Sequence, residues 1–147
     1  MSTAHPLSGT GPRQCLPPLA PVRRNEPRLP QGSCDAHAHV FASACPLDPA
    51  RGYTPAMVTI RDYCRVMEAY GIDRAVLVQP SVYGFDNSAL LSALAALPRT
   101  LRGVAVMRPD APDGEFARAD RLGVRALRIN PRNPAGLTMR DFHAVAE

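Results

Sequence analysis

The chain has 147 residues, 46% of them hydrophobic and 20% charged, enough apolar side chains to enclose one core, which excludes a wholly disordered chain. Its 16 prolines and 10 glycines follow no Gly-x-y period, which excludes collagen, and no run approaches the ~18 apolar residues of a membrane-spanning helix. The net charge is +4 and all 17 basic residues are arginine, but Arg13, Arg23, Arg24 and Arg28 stand against Glu26 alone in residues 1–33, leaving the remainder near neutrality, so no nucleic-acid footprint is expected.

Residues 1–32 hold seven of the prolines, each fixing φ and removing a backbone donor. The segment is expected to be a Pro/Arg-rich arm without helix or sheet of its own, disordered or at best laid over the domain that residues 33–147 form. Cys15, Cys34, Cys45 and Cys64 show no C-x-x-C spacing and no apolar signal run stands at the N-terminus. Reduced thiols in a cytoplasmic protein, with no membrane partner, are the expectation.

From Ser33 the pattern alternates between strand and helix. Ser33 to Val40 reads as a strand, followed by a turn-rich stretch with Pro46, Pro49 and Gly52. Thr54 as N-cap and Pro55 at the first helical position predict a helix whose apolar residues Met57, Ile60, Cys64 and Met67 recur at helical spacing until Gly71 stops it. Ala75 to Val78 is a continuous apolar run, as a strand buried on both faces requires. Asp86 or Asn87 caps a second helix, Ser88 to Leu97. Gly103 to Val106 is the third strand, and Asp113 opens a third helix that ends near Gly123. Val124 to Asn130 is the fourth strand, and Thr138 caps a fourth helix running to Glu147. Four βα units in series predict a parallel sheet with right-handed crossovers. An open doubly wound sheet and the N-terminal half of a closed (β/α)₈ barrel both fit. The first βα turn, Phe41-Ala42-Ser43-Ala44, lacks the glycines of a dinucleotide-binding fold.

The candidate chemistry begins in Asp35-Ala36-His37-Ala38-His39. Strict alternation along a strand places Asp35, His37 and His39 on one face. Imidazoles and a carboxylate on a buried face need a metal, a substrate or a hydrogen-bond network as partner. Two imidazoles two residues apart can converge on one ion or one substrate atom. In the fourth strand the same alternation puts Ala126, Arg128 and Asn130 on one face, with Arg125, Leu127 and Ile129 on the other, and a buried arginine requires an anionic or polar partner.

Cys34 to Phe41, Arg51-Gly52-Tyr53-Thr54-Pro55, Val76 to Asn87 (with its Gln79-Pro80-Ser81-Val82-Tyr83-Gly84 core) and Arg102 to Val106 resemble the amidohydrolase superfamily. Within it they are similar to the branch of 2-pyrone-4,6-dicarboxylate lactonase-type hydrolases, over about residues 30–147. The resemblance implies an α/β fold, the first four βα units of a TIM-like barrel, with the site at the C-terminal strand ends. It implies hydrolysis of a lactone or related cyclic carboxylate, by attack of water on a carbonyl that His37 and His39 polarise. The Asp that activates the water would come from the last strand of such a barrel. Tyr53, Ser81 and Arg128 match substrate-holding positions, and Gln79 and Asn130 stand beside them at strand ends. The branch carries a second arginine where this chain has Pro134, with Arg132 nearest, so a lactone with one acidic group is the expected small-molecule substrate. No cofactor is expected; one divalent metal such as zinc on His37 and His39 is the alternative. Two further readings stand beside the hydrolase: a catalytically incompetent half-barrel that pairs with a missing C-terminal half or with itself, and a metal-dependent decarboxylase of the same superfamily.

Overall fold

The computed structural model describes residues 11–22, 29–130, 137–141 and 143. In chain order it contains β1 (Arg13–Gln14), β2 (Cys34–Ala38), β3 (Tyr53–Thr54), α1 (Ile60–Tyr70), β4 (Arg74–Val78), a 3₁₀ turn (Ser81–Tyr83), α2 (Ser88–Ala96), β5 (Leu101–Ala105), α3 (Asp113–Arg121), β6 (Val124–Leu127) and a second 3₁₀ turn (Met139–Asp141). Four strands form one sheet in the order β2-β4-β5-β6, every pair parallel. A doubly wound sheet reverses its strand order about a switch point. Here spatial order follows chain order, and side chains of α1, α2 and α3 all enter a single core with Ala75, Leu77, Leu101 and Ala105. Three helices on one face of an unreversed parallel sheet are the wall of a barrel, the second of the two architectures open from the sequence. The other face carries no helix among the described residues, and Ala36, His37, Arg102 and Ala126 are exposed there.

The N-cap of the first helix lies five residues later than expected. Thr54 belongs to β3, and residues 55–59 are not helical. Thr59 is the N-cap: its hydroxyl accepts from the Asp62 N–H while the Asp62 carboxylate accepts from the Thr59 N–H, a reciprocal capping box. Met57 therefore lies outside the helix, 44% exposed. Gly71 ends α1 with φ 70°, a left-handed conformation that costs glycine nothing, and its N–H returns to Met67 O. Tyr63 and Met67 are the buried face of α1.

Neither short strand was legible as one. Arg13–Gln14, inside the proline-rich arm, pairs in parallel with Tyr53–Thr54, and the Cys15 N–H donates to Thr54 O at 2.9 Å. At the other end, Thr138 is tied to Asp141 through its N–H and hydroxyl, as a cap would be; Met139–Asp141 is a 3₁₀ turn and His143 is helical, while the rest of the expected helix, and separately Arg132 and Pro134, lie outside the described residues. The four cysteines are free thiols. Among the described residues no helix is long and apolar enough to cross a membrane.

Candidate active site at the strand ends

Two irregularities in register decide which side chains face the uncovered side of the sheet. Asp35 pairs with Ala75 and Ala38 with Leu77, so β2 spends three residues where β4 spends two. The extra residue is a bulge. It puts Asp35 and Ala38 on the same, helix-covered face and turns His37 to the other. The expectation that Asp35, His37 and His39 share one face is thereby corrected: strict alternation fails at the bulge. The same happens in β6, where Gly103 pairs with Val124 and Ala105 with Leu127. Val124 and Leu127 both face the helices, Arg125 reaches the Asp120 carboxylate at 2.8 Å, and Ala126 and Arg128 take the opposite face as alternation from Leu127 requires.

His37 and His39 stand edge to face, ring centroids 4.9 Å apart. The His39 ring is half-buried, and its Nδ1 lies 2.7 Å from Val78 O. A carbonyl only accepts, so Nδ1 carries the proton and, in the neutral ring, Nε2 presents its lone pair. Burial pushes the His39 pKa below 6.5; the Val78 bond opposes this, and His37 and Arg128 add to the lowering. The neutral form is thus favoured by the fold. Its contribution to stability is complete above the unfolded value near 6.5 and is lost as pH falls through the folded value. The urea midpoint is accordingly expected to drop as pH falls below about 6.5, and His39→Gln to flatten that slope. An unchanged slope in the variant would assign the acid sensitivity elsewhere.

Arg128 follows β6. Its backbone N–H donates to Ala105 O at 2.7 Å and its Nη1 to Gln79 O at 2.8 Å. Among the described residues it makes no ion pair with an acid; Asp35 in particular is engaged by Tyr63 and by the His37 backbone. Successive carbonyls at the end of β4, Val78 O and Gln79 O, therefore hold His39 and Arg128, one from each side.

The other expected site residues lie around this centre. The Gln79 side chain is 0% exposed: Nε2 donates to Asp86 O at 2.7 Å, bracing the loop, and Oε1 has no partner among the described residues. Ser81 opens the 3₁₀ turn two residues on, and Asn130 follows Arg128 by two; both are half-buried. Tyr53 is half-buried against a small cluster with Phe41, Val82 and Tyr83. Its strand is set by Arg51, which donates to Thr54 Oγ1 at 3.1 Å and Asp48 O at 3.2 Å. Phe41 packs 6.3 Å from the His39 ring and 6.4 Å from Tyr83, so Tyr53 joins the histidines through an aromatic wall. Tyr83 is buried, its hydroxyl accepting from Ala42 N–H at 2.9 Å. Asn87 does not cap α2 through its side chain; it bonds Val106 twice, Nδ2 to O at 2.9 Å and Oδ1 from N–H at 3.1 Å, and so clips the end of β5.

Sequence reasoning passed over Tyr63. Its hydroxyl donates to Asp35 Oδ2 at 2.6 Å, and Asp35 Oδ1 accepts the His37 N–H at 3.0 Å. Burial, with the Asp35 carboxylate beside it, pushes the phenol pKa well above its usual value, so it remains a donor. Its 28-residue separation from Asp35 carries no local signal.

This arrangement can bind an anion at Arg128 and place a neutral imidazole lone pair beside it. Among the described residues no group of three His, Cys, Asp or Glu side chains could hold a metal.

The sequence model described as "Amidohydrolase" matches residues 34–144. The chain is 34% identical over 129 residues to a 4-sulfomuconolactone hydrolase of Rhizobium radiobacter, covering 82% of this chain and 43% of that protein. It is 34% identical over 105 residues to a 2-pyrone-4,6-dicarboxylate hydrolase of Comamonas testosteroni, covering 70% and 34%. An apo crystal structure from Agrobacterium tumefaciens superposes with a TM-score of 0.72 at 26% identity, over 81% of this chain and 44% of that one. The chain thus spans less than half the length of the relatives it matches. With the family pattern running from β2 past β6 and the same fold in its structural neighbour, the chain belongs to the amidohydrolase family and corresponds to the N-terminal half of the family's barrel.

Proposed function

We propose that this chain carries the anion clamp and the histidine pair of a hydrolase that opens lactones bearing an acidic group. The observation that supports this most directly is that His39 and Arg128 are held by successive carbonyls of one strand end. The names of the two curated relatives, a sulfomuconolactone hydrolase and a pyrone dicarboxylate hydrolase, point to acidic lactones as the substrate class. Arg128 would pair with the carboxylate or sulfonate through its planar fork. Tyr53, Ser81 and Asn130 would line the ring, with Gln79 bracing the loop beneath.

The tautomer divides the roles of the two histidines. Neutral His39 offers a lone pair at Nε2 and so takes a proton from the attacking water, which it returns to the ring oxygen as the acyl C–O bond breaks. It cannot polarise a carbonyl by donation unless protonated, which burial disfavours. That role falls to the N–H of the exposed His37 ring. No resident metal enters the proposed reaction: a catalytic zinc usually has three protein ligands, and His37 and His39 supply two. A divalent ion on this pair, which would polarise the carbonyl instead, is the alternative, and the carbonyl-bonded Nδ1 of His39 suits a ligating imidazole. A second half-barrel would cover the exposed face at Ala36, His37, Arg102 and Ala126 and bring the last-strand Asp, which would orient the attacking water. Pairing with a second copy is the reading to which that bare face gives separate support.

The test is ring opening of 2-pyrone-4,6-dicarboxylate, 4-sulfomuconolactone and an uncharged lactone by the full-length protein. Acidic rings should be preferred, and His39→Gln should lower kcat by about 10²–10⁴-fold, the range for losing a positioned base. Turnover of acidic lactones that survives this substitution would remove His39 from the reaction.

A further inference from the structure

The β2 bulge is fastened from outside the site. Asp35 sits on the helix-covered face with both carboxylate oxygens engaged, Oδ2 by the Tyr63 hydroxyl and Oδ1 by the His37 N–H. Tyr63 is 7% exposed and packs in the core with Met67, so its hydroxyl is a fixed post relative to the sheet. The carboxylate bridges that post to the His37 N–H, which lies inside the three-residue step from Asp35 to Ala38. The His37 ring itself is exposed and meets His39 edge to face. Among the described residues the His37 ring makes no hydrogen bond or ion pair, so its placement depends on its backbone.

We propose that Tyr63 is a positioning residue for His37, acting through Asp35: the phenol orients the carboxylate, and the carboxylate holds the bulge that delivers the imidazole to the substrate side of the sheet. Its importance for turnover rests on the lactone-hydrolase reading, whereas the relay itself does not. Tyr63→Phe keeps the ring in the core and removes only the donor. Asp35→Ala removes the bridge without touching the core. Met67→Leu perturbs the same buried helix face without touching Asp35.

The relay is read by NMR on the 147-residue chain, from hydrogen exchange at the His37 amide and the cross-relaxation between the His37 and His39 rings. Tyr63→Phe and Asp35→Ala should each speed His37 exchange by about tenfold or more, as loss of one hydrogen bond implies, and should weaken the inter-ring signal. Amides of Ala75 and Leu77 should stay protected, and Met67→Leu should leave His37 unchanged. In the full-length protein Tyr63→Phe should lower kcat about tenfold at nearly constant KM. His37 exchange and ring contact that match the unaltered chain in both variants would overturn the relay, as would the same change in Met67→Leu. Should Tyr63→Phe fail to fold, Asp35→Ala alone decides between these outcomes. Altered resonances with unaltered kcat would overturn the positioning role. Complete inactivity of the unaltered protein on lactones would instead count against the proposed reaction and leave the amide result standing.

Discussion

Replacing Arg128 with methionine should weaken binding of acidic lactones to the full-length protein by about 2–5 kcal/mol, the range for truncating one member of a buried charge pair. Uncharged lactones should bind nearly as before. Methionine keeps much of the apolar stem, and the strand is held independently by the Arg128 N–H to Ala105 O, so the fold should survive. A structural ion pair is the competing account of this arginine. The carboxylate best placed to provide it, Asp35, is on the other face and already bonded to Tyr63 and His37. Competitive inhibition by paired charged and neutral ring analogues would measure the effect. Equal losses for both, or an unfolded variant, would make Arg128 a structural residue.

The largest effect on stability is expected at Leu94, where alanine should cost about 2–5 kcal/mol. Leu94 is fully buried, and its Cδ1 occupies the space above Gly103: a Cβ built on Gly103 would lie 2.6 Å from it and 3.3 Å from Val124 Cγ2. The absence of a side chain at Gly103 is what lets α2 approach β5 so closely. Gly103→Ala alone should therefore cost about 1–3 kcal/mol by overpacking. In the double variant the new methyl group enters the volume that Leu94 vacates, so the two losses should add to less than their sum by at least about 0.5 kcal/mol. Urea unfolding of the four proteins measures the coupling. Strict additivity would mean that the helix and strand separate on substitution and do not share one packed contact.

The parts of the fold that follow from short-range chemistry were legible in the sequence. The apolar runs of β4 and β5, the glycine after α1 and the helix at Asp113 sit at or within two residues of their expected places. Thr54-Pro55 has the composition of a helix start, but Thr59 has Asp62 at the third helical position to return its bond, and that reciprocity prevails. Alternation located His37, His39 and Arg128 on the site face yet misassigned Asp35, since a bulge depends on what the neighbouring strand and helix demand. The β1–β3 pair brings together residues about forty apart, and the Tyr63–Asp35 bond is equally non-local. Neither leaves a periodic trace. Nor could the sequence distinguish Gln79 as a substrate contact from Gln79 as a brace, because its side chain is committed by a carbonyl seven residues away.

The end of β4 has a further consequence for selectivity. Successive carbonyls of an extended chain point to opposite sides, about 3.3 Å apart along the strand. Val78 O takes the His39 ring on one side and Gln79 O takes Arg128 on the other. The two anchor points of His39 and Arg128, the proposed proton acceptor and anion clamp, are thus separated by a single peptide unit, which cannot stretch. The strand end behaves as a caliper of fixed opening. Among acidic lactones it would sort candidates by the distance between the acidic substituent and the ester carbonyl, with ring size and substitution position mattering more than which anion the ring carries.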